Sequence, residues 1–197
     1  KVKKHGVHII PAESGELASG LDGQGRMAEP ENIIEFVRTN FRSNQILNGQ
    51  KVLITAGPTY EPIDPVRFVG NHSTGKMGYA LAETALNLGA EVTLISGPTH
   101  LTINHQHLNL IKVNTARQMN EHALAHFRNS NICIATAAVA DYQPTTFSDR
   151  KIKKTEKSLY IKLQPTPDIL ANLGHEKRKQ LLVGFALETD NEIENAR

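Results

Sequence analysis

The stretch Lys51-Val-Leu-Ile-Thr-Ala-Gly57 decides the fold. Its middle residues show no polar–apolar alternation, so both faces of the strand must be buried, as in a parallel sheet. Gly57-Pro58 then stops the strand and opens a loop. Three further runs read the same way: Glu91-Val-Thr-Leu-Ile-Ser-Gly97, residues 132–139 and Gln180-Leu-Leu-Val-Gly-Phe-Ala-Leu187. Helical stripes separate them. Met77, Leu81, Ala85 and Leu88 recur at helical spacing before Gly89, a C-terminal stop. Met119, Ala123 and Phe127 share one face of a second helix, capped by Asn114 or Thr115. A third helix opens at Pro167-Asp-Ile-Leu170, and a last one is expected from Asn191. Ser158-Leu-Tyr-Ile-Lys-Leu163 alternates, which predicts a half-exposed edge strand. Strand–helix alternation of this kind predicts an α/β, Rossmann-like, doubly wound and mainly parallel sheet with helices on both faces.

Outside this pattern lie residues 1–44. Five glycines crowd a short span there, followed by a predicted helix from Glu31 to Phe41 with Pro30 in its first turn. Polar Ser43-Asn44-Gln45 reads as a linker, so the expected division is 1–44 and 45–197. At 197 residues the chain holds one α/β domain with an appendage rather than two full domains. A net charge of +2 gives no general pull toward nucleic acid or membrane. No apolar stretch approaches the ~18 residues of a membrane span, and no signal peptide is visible, so the expected location is cytoplasmic. The single cysteine, Cys133, excludes an internal disulfide and sits in an apolar run, where it reads as a core residue.

In a doubly wound sheet, ligands bind beyond the carboxyl ends of the strands. The segment after the first strand, 57–78, is long, stiffened by proline, and rich in anion-binding side chains. Within it, Gly70-Asn-His-Ser-Thr-Gly-Lys76 approaches the P-loop pattern. Met77 stands where a magnesium-binding Ser or Thr is needed, so a P-loop NTPase is not expected. No Gly-x-Gly-x-x-Gly follows the first strand, and the second ends in Ser96-Gly97-Pro98 without an acid, which argues against a nicotinamide or flavin dinucleotide. Residues 73–75 open a helix whose N–H groups attract phosphate, with Lys76 either assisting or merely solvated. Arg67 and Asn71 offer a clamp for carboxylate or phosphate. Small residues at Ala135-Thr-Ala-Ala138 let a flat ligand approach the backbone. Asp141 suits magnesium or a ribose hydroxyl, or else a turn or cap. Lys151, Lys153 and Lys154 form a cation cluster able to neutralise a leaving pyrophosphate, although surface loops often carry such lysines. Asp168 is either dipole-favourable or base-reading, and Phe185 either stacks on a ring or packs in the core. His100, His105 and His107 lack a completing ligand and are read as loop residues.

Taken together, Thr55-Ala-Gly-Pro-Thr59, Glu61-Pro-Ile-Asp-Pro-Val-Arg67, Asn71-His-Ser-Thr-Gly-Lys-Met-Gly78, Ala137-Ala-Val-Ala-Asp-Tyr142, Lys151-Ile-Lys-Lys154, Pro167-Asp-Ile169 and Val183-Gly-Phe-Ala-Leu-Glu-Thr189 resemble phosphopantothenate–cysteine ligase in order and spacing. The resemblance implies activation of 4′-phosphopantothenate by CTP as an acyl-cytidylate, then attack by L-cysteine. It implies Lys151 and Asn71 as catalytic groups and a phosphopantothenate site at Arg67, Asn71, His72 and Ala138. The nucleotide site would comprise Ala135, Thr136, Ala137, Asp141, Lys151, Pro167, Asp168, Ile169, Leu170 and Phe185, with Mg2+ at Asp141. A homodimer is implied, within a larger oligomer when fused to a decarboxylase. Pro11 to Met27 resembles the closing segment of phosphopantothenoylcysteine decarboxylase, a flavin enzyme commonly fused ahead of the ligase. Ser19 stands where that family usually has a cysteine, and the FMN-binding core lies outside this chain. Family members continue past Arg197, so the ligase portion is expected to be truncated. The rival readings are an oxidoreductase, disfavoured by the missing fingerprint, and a non-catalytic nucleotide-binding scaffold.

Overall fold

The computed structural model describes residues 7, 9–16, 22–41, 45–154, 158–187 and 190–191. Ser19, Ser43, Asn44, Glu188, Thr189 and the helix expected beyond Asn191 lie outside the described residues. The chain divides into two compact units, Lys1–Gln45 and Ile46–Arg197.

In the first unit, β1 (Glu13–Glu16) pairs antiparallel with β2 (Asp22–Arg26), and α1 spans Pro30–Phe41. Pro30 occupies the first helical position, where its missing N–H is no loss. Asn32 Nδ2 donates to Glu13 Oε1 at 2.7 Å, and Arg26 pairs with Glu29 at 2.6 Å.

The second unit is built on five parallel strands in the order β11-β8-β3-β6-β7. These are β3 (Lys51–Ala56), β6 (Glu91–Ser96), β7 (Leu108–Lys112), β8 (Ile132–Ala135) and β11 (Leu181–Gly184). Helices α2 (Lys76–Asn87), α3 (Ala116–Phe127) and α4 (Ile169–Glu176) connect them. Alternation along β3 assigns each helix its face, because successive strand side chains point to opposite sides. Val52 and Ile54 pack with Val92, Leu94 and the Tyr79, Ala82 and Leu86 side of α2. Leu53 faces the other way, with Ile95 and Cys133, against Met119, Ala123 and Phe127 of α3 and Ile169 and Leu173 of α4. The doubly wound expectation holds. Burial pushes the Cys133 thiol up to about 12, as befits a core residue. Thr115 caps α3: its hydroxyl accepts from Gln118 N while the Gln118 side chain accepts from Thr115 N.

The run 180–187 forms strand only over Leu181–Gly184, at the sheet edge with Leu181 59% exposed, and 132–139 only over Ile132–Ala135; three further features depart from the sequence reading. Leu108–Lys112 forms a fifth strand at the sheet edge, where only one neighbour is available and a short Leu-Asn-Leu-Ile-Lys run suffices. Ser158–Lys162 is not strand. Only Leu163 enters β10 (Leu163–Pro165), which pairs with β9 (Tyr142–Pro144); the Lys162 carbonyl still accepts from Thr145 N at 3.0 Å, and among the described residues 158–161 pair with no strand. The segment after β3 contains a small hairpin, β4 (Tyr60–Pro62) with β5 (Phe68–Gly70), tied by Tyr60 stacked on Phe68.

Where β3 and β6 end, the chain passes so close to itself that a Cβ on Gly97 would lie 1.7 Å from the Pro58 carbonyl oxygen. Backbone must move to admit it. Gly97→Ala should cost about 1–3 kcal/mol of stability, read as a lowered midpoint in urea denaturation. An unchanged midpoint would contradict this packing.

Candidate active site

From β3 the chain winds to β6 and β7 on one side, then returns to β8 and β11 on the other. The switch point therefore lies between β3 and β8, and their carboxyl ends should diverge around a crevice. A cavity of about 750 Å³ opens there. Ala135 at the end of β8 and Ala137, Ala138 and Val139 after it line the cavity, joined by Asn71 and His72 after β5, Asp141, Thr166–Leu170 and Phe185. The N-terminal ends of β3, β6 and β7 frame a separate cavity of about 450 Å³, away from these residues.

The wall after β8 keeps its extended course beyond the last sheet pair. Ala138 N donates to the Gly57 carbonyl at 2.9 Å, and Thr59 N to the Ala138 carbonyl at 3.3 Å. Ala140 N donates to the buried Thr59 hydroxyl at 2.9 Å. Asn71 Nδ2 donates to the Val139 carbonyl at 2.8 Å, which fixes the amide at the cavity wall. On the opposite side, Thr166 Oγ1 donates to the Ala140 carbonyl at 2.6 Å. Asp168 caps α4, accepting from Ala171 N at 2.9 Å, so its dipole-favourable role is real and one oxygen remains for a ligand. Phe185 is 56% exposed on the cavity wall rather than in the core. Among the described residues, the Asp141 carboxylate has no hydrogen-bond partner.

Residues 47–197 match the DNA/pantothenate metabolism flavoprotein C-terminal domain family. The chain belongs to this family. It is 54% identical over 200 residues to a cysteine/cysteine sulfinic acid decarboxylase from an unknown prokaryotic organism, covering 99% of this chain and 56% of that protein. It is 48% identical over 188 residues to the coenzyme A biosynthesis bifunctional protein CoaBC of Bacillus subtilis (strain 168), covering 94% of this chain and 46% of that protein. The chain thus spans about half the length of these relatives. The crystal structure of the C-terminal domain of a CoaBC protein superposes with a TM-score of 0.67 at 50% identity, covering 78% of this chain and 71% of that one.

In this member of the family, three expected site residues stand apart from the cavity lining. Thr136 turns its hydroxyl inward onto the Thr55 carbonyl at 2.6 Å, against α2. Its neighbours Ala135 and Ala137 face the opposite side, as strand alternation requires. Arg67 is turned onto Asp64: Nε donates to Asp64 Oδ2 at 3.0 Å, and Nη2 contacts the same oxygen and the Ile152 carbonyl, the latter at 2.8 Å. Lys151 stands exposed on the β9–β10 connection with Lys153 and Lys154, and among the described residues the three ammonium groups meet no acid. Sequence reasoning missed Asp64 and Glu61, each only 2% exposed. Glu61 accepts from Ala116 N at the start of α3, 2.8 Å away. A carboxylate flanked by prolines looks like loop surface until its distant partner is known.

No group of three or more His, Cys, Asp or Glu side chains able to hold a metal occurs among the described residues. Asp141 alone matches the donor set of magnesium only if ligand phosphates supply the rest, which is how that ion is commonly held. His105 and His107 have ring centroids 5.6 Å apart and no completing carboxylate.

The Arg67 guanidinium and three backbone N–H groups hold the Asp64 carboxyl well below the usual carboxylate range. Its folded-state value lies under the unfolded ~3.9, so its stabilisation is complete above that value and is lost only as pH falls toward the folded one. Asp64→Asn should therefore be less stable than wild type by a constant margin from pH 8 to about 5, with the gap narrowing below about 4. Denaturation across that pH series measures it, and a gap that widens in acid would refute the assignment.

Proposed function

We propose that this chain is the ligase domain of a longer bifunctional enzyme of coenzyme A biosynthesis, working in the cytoplasm. It would join 4′-phosphopantothenate to L-cysteine at the expense of CTP. Residues 1–44 would be the tail of the preceding decarboxylase domain and a linker; no step of the FMN-dependent decarboxylation is assigned to them. The observation that carries this reading is the convergence of Asn71, His72, Ala135, Ala137, Ala138, Asp141, Phe185 and Pro167 through Leu170 on one switch-point cavity. They come from segments far apart in sequence, and the cavity's volume is of the order a small ligand requires.

In the first step a carboxylate oxygen of phosphopantothenate attacks the α-phosphorus of CTP. A P–O bond forms to the acyl group and pyrophosphate leaves. In the second, the cysteine amine attacks the acyl carbon, CMP leaves with the carboxyl oxygen, and the amine loses a proton. The small side chains after β8 admit the base and sugar, Phe185 stacks, and the free oxygen of Asp168 accepts from the base. The amide of Asn71, held by the Val139 carbonyl, orients the reacting carboxylate. His72 contributes a hydrogen-bonding ring nitrogen toward phosphopantothenate, and Arg67 contributes the positive charge and the guanidinium nitrogen not committed to Asp64 and Ile152. Lys151 balances charge on the leaving pyrophosphate and on the acyl intermediate. Mg2+ held by Asp141 and the phosphates would neutralise charge between the reacting groups.

The 54% identity to a protein named as a cysteine/cysteine sulfinic acid decarboxylase supports a second reading, in which the full-length protein releases CO2 from those amino acids. One assay separates the two. The full-length protein, given phosphopantothenate, cysteine, magnesium and CTP, should form phosphopantothenoylcysteine with one CMP per product, and Lys151→Gln should slow it roughly 100-fold or more. Nucleotide-independent CO2 release from cysteine without CMP, or full turnover by Lys151→Gln, would sink the assignment.

A homodimer is part of this proposal. Exposed Val66 and Phe68 on one hairpin and Tyr142 and Leu163 on its neighbour provide an apolar surface for a second copy. Sedimentation should give twice the monomer mass for wild type and a weakened dimer for Phe68→Glu; a monomeric wild type refutes it.

A further inference from the structure

The 145–162 connection between β9 and β10 carries the exposed lysines, yet one residue in it is gripped by both of its backbone polar groups. Ile152 N donates to Asp64 Oδ2 at 3.1 Å, and the Ile152 carbonyl accepts from Arg67 Nη2 at 2.8 Å. Nearby, Ser148 N donates to the Ile63 carbonyl at 3.1 Å. Both fastenings come from the tip of the β4–β5 hairpin. Asp64 itself is buried at 2% exposure. Its Oδ1 accepts from Val66 N and Arg67 N, each at 2.9 Å, and its Oδ2 from Arg67 Nε and Ile152 N.

A turn needs no such acid for its own closure, since a neutral Asn or Ser oxygen can accept the two local N–H groups. What a neutral side chain cannot supply is an acceptor for the guanidinium and a remote peptide at once. An Asn would face a donor against donors at one of these positions. The charge is therefore explained by the grip on Ile152, which lies between Lys151 and Lys153.

We propose that Asp64 is a positioning residue for Lys151: with Arg67 it latches the backbone of Ile152 on both its N–H and its carbonyl and so fixes where Lys151 presents charge to an anionic ligand. This rests on the ligase reading above. Arg67 thereby acquires a second task beyond anion binding, since Nε and Nη2 are committed to the latch.

The test uses full-length protein. In Asp64→Asn, kcat/KM for CTP should fall about tenfold to 100-fold while KM for cysteine stays within about twofold. In the double variant with Lys151→Gln, the loss should be no greater than for Lys151→Gln alone, because the latch acts through the lysine loop. Hydrogen exchange at the Ile152 amide should accelerate in Asp64→Asn by about tenfold or more beyond any change at the core Leu53 and Ile54 amides, which follow global stability. Should Asp64→Asn fail to fold, Ile152→Pro leaves Asp64 and Arg67 intact, removes the loop's N–H donor to Asp64, and should reproduce the loss. Wild-type ligation with unchanged kcat/KM in these variants, additive losses in the double variant, or unchanged exchange at Ile152 overturns the latch. A full-length protein that does not ligate at all sinks the latch together with the ligase reading.

Discussion

The parallel pairing of β3 with β8, prolonged past the last sheet hydrogen bonds, is the contact on which the rest depends. Within the sheet, Val52 to Thr55 stand opposite Ile132 to Ala135. Beyond it, Pro58 still bridges to Ala138, and the hydroxyls of Thr55 and Thr59 take over as acceptors for Ala137 and Ala140. Buried hydroxyls are well suited to this, because they satisfy backbone N–H groups that have left the ladder. Without that continuation the Ala137–Asp141 wall would have no fixed course, and the cavity would lose the side that faces Thr166 to Leu170.

The same constraint explains why the loop after β3 is so rich in distinctive residues. Much of its chemistry is spent on scaffolding. Thr59 holds the wall, Glu61 caps α3, and Asp64 holds Arg67 and Ile152. Only at Asn71 and His72 does the segment reach the cavity. A polar or charged residue in a loop can serve a ligand or a remote backbone group, and the two demands select the same residue types. That is why Arg67, attractive as an anion clamp, proves tied to an aspartate three residues before it.

Small residues tell a similar story at the end of β8. Ala135, Ala137 and Ala138 line the cavity, while Thr136 turns to the opposite face and bonds to Thr55. A sequence motif read as a block does not distinguish these; the two-residue period of an extended chain does. Asp168 is both the cap of α4 and a residue of the cavity lining, because α4 begins at the cavity edge.

Much was legible in the residues alone. The continuous apolar runs at Lys51, Glu91 and residue 132 could only be doubly buried parallel strands, and the helical stripes between them could only cover the two faces. Local rules sufficed there, since burial on both sides leaves no other pattern. Part of the cavity lining was legible too, Asn71, His72, Asp141 and the segment from Pro167 to Leu170 among it, because open crevices in such sheets follow the strand ends. The edge strand Leu108–Lys112 and the loss of strand at Ser158–Lys162 were decided by the presence or absence of a neighbouring strand, which no local pattern encodes. The partners of Glu61, Asp64, Thr136 and Arg67 were likewise settled only by tertiary structure. They lie two to 88 residues away in the chain, and a hydrogen bond depends on separation in space, not on order in sequence.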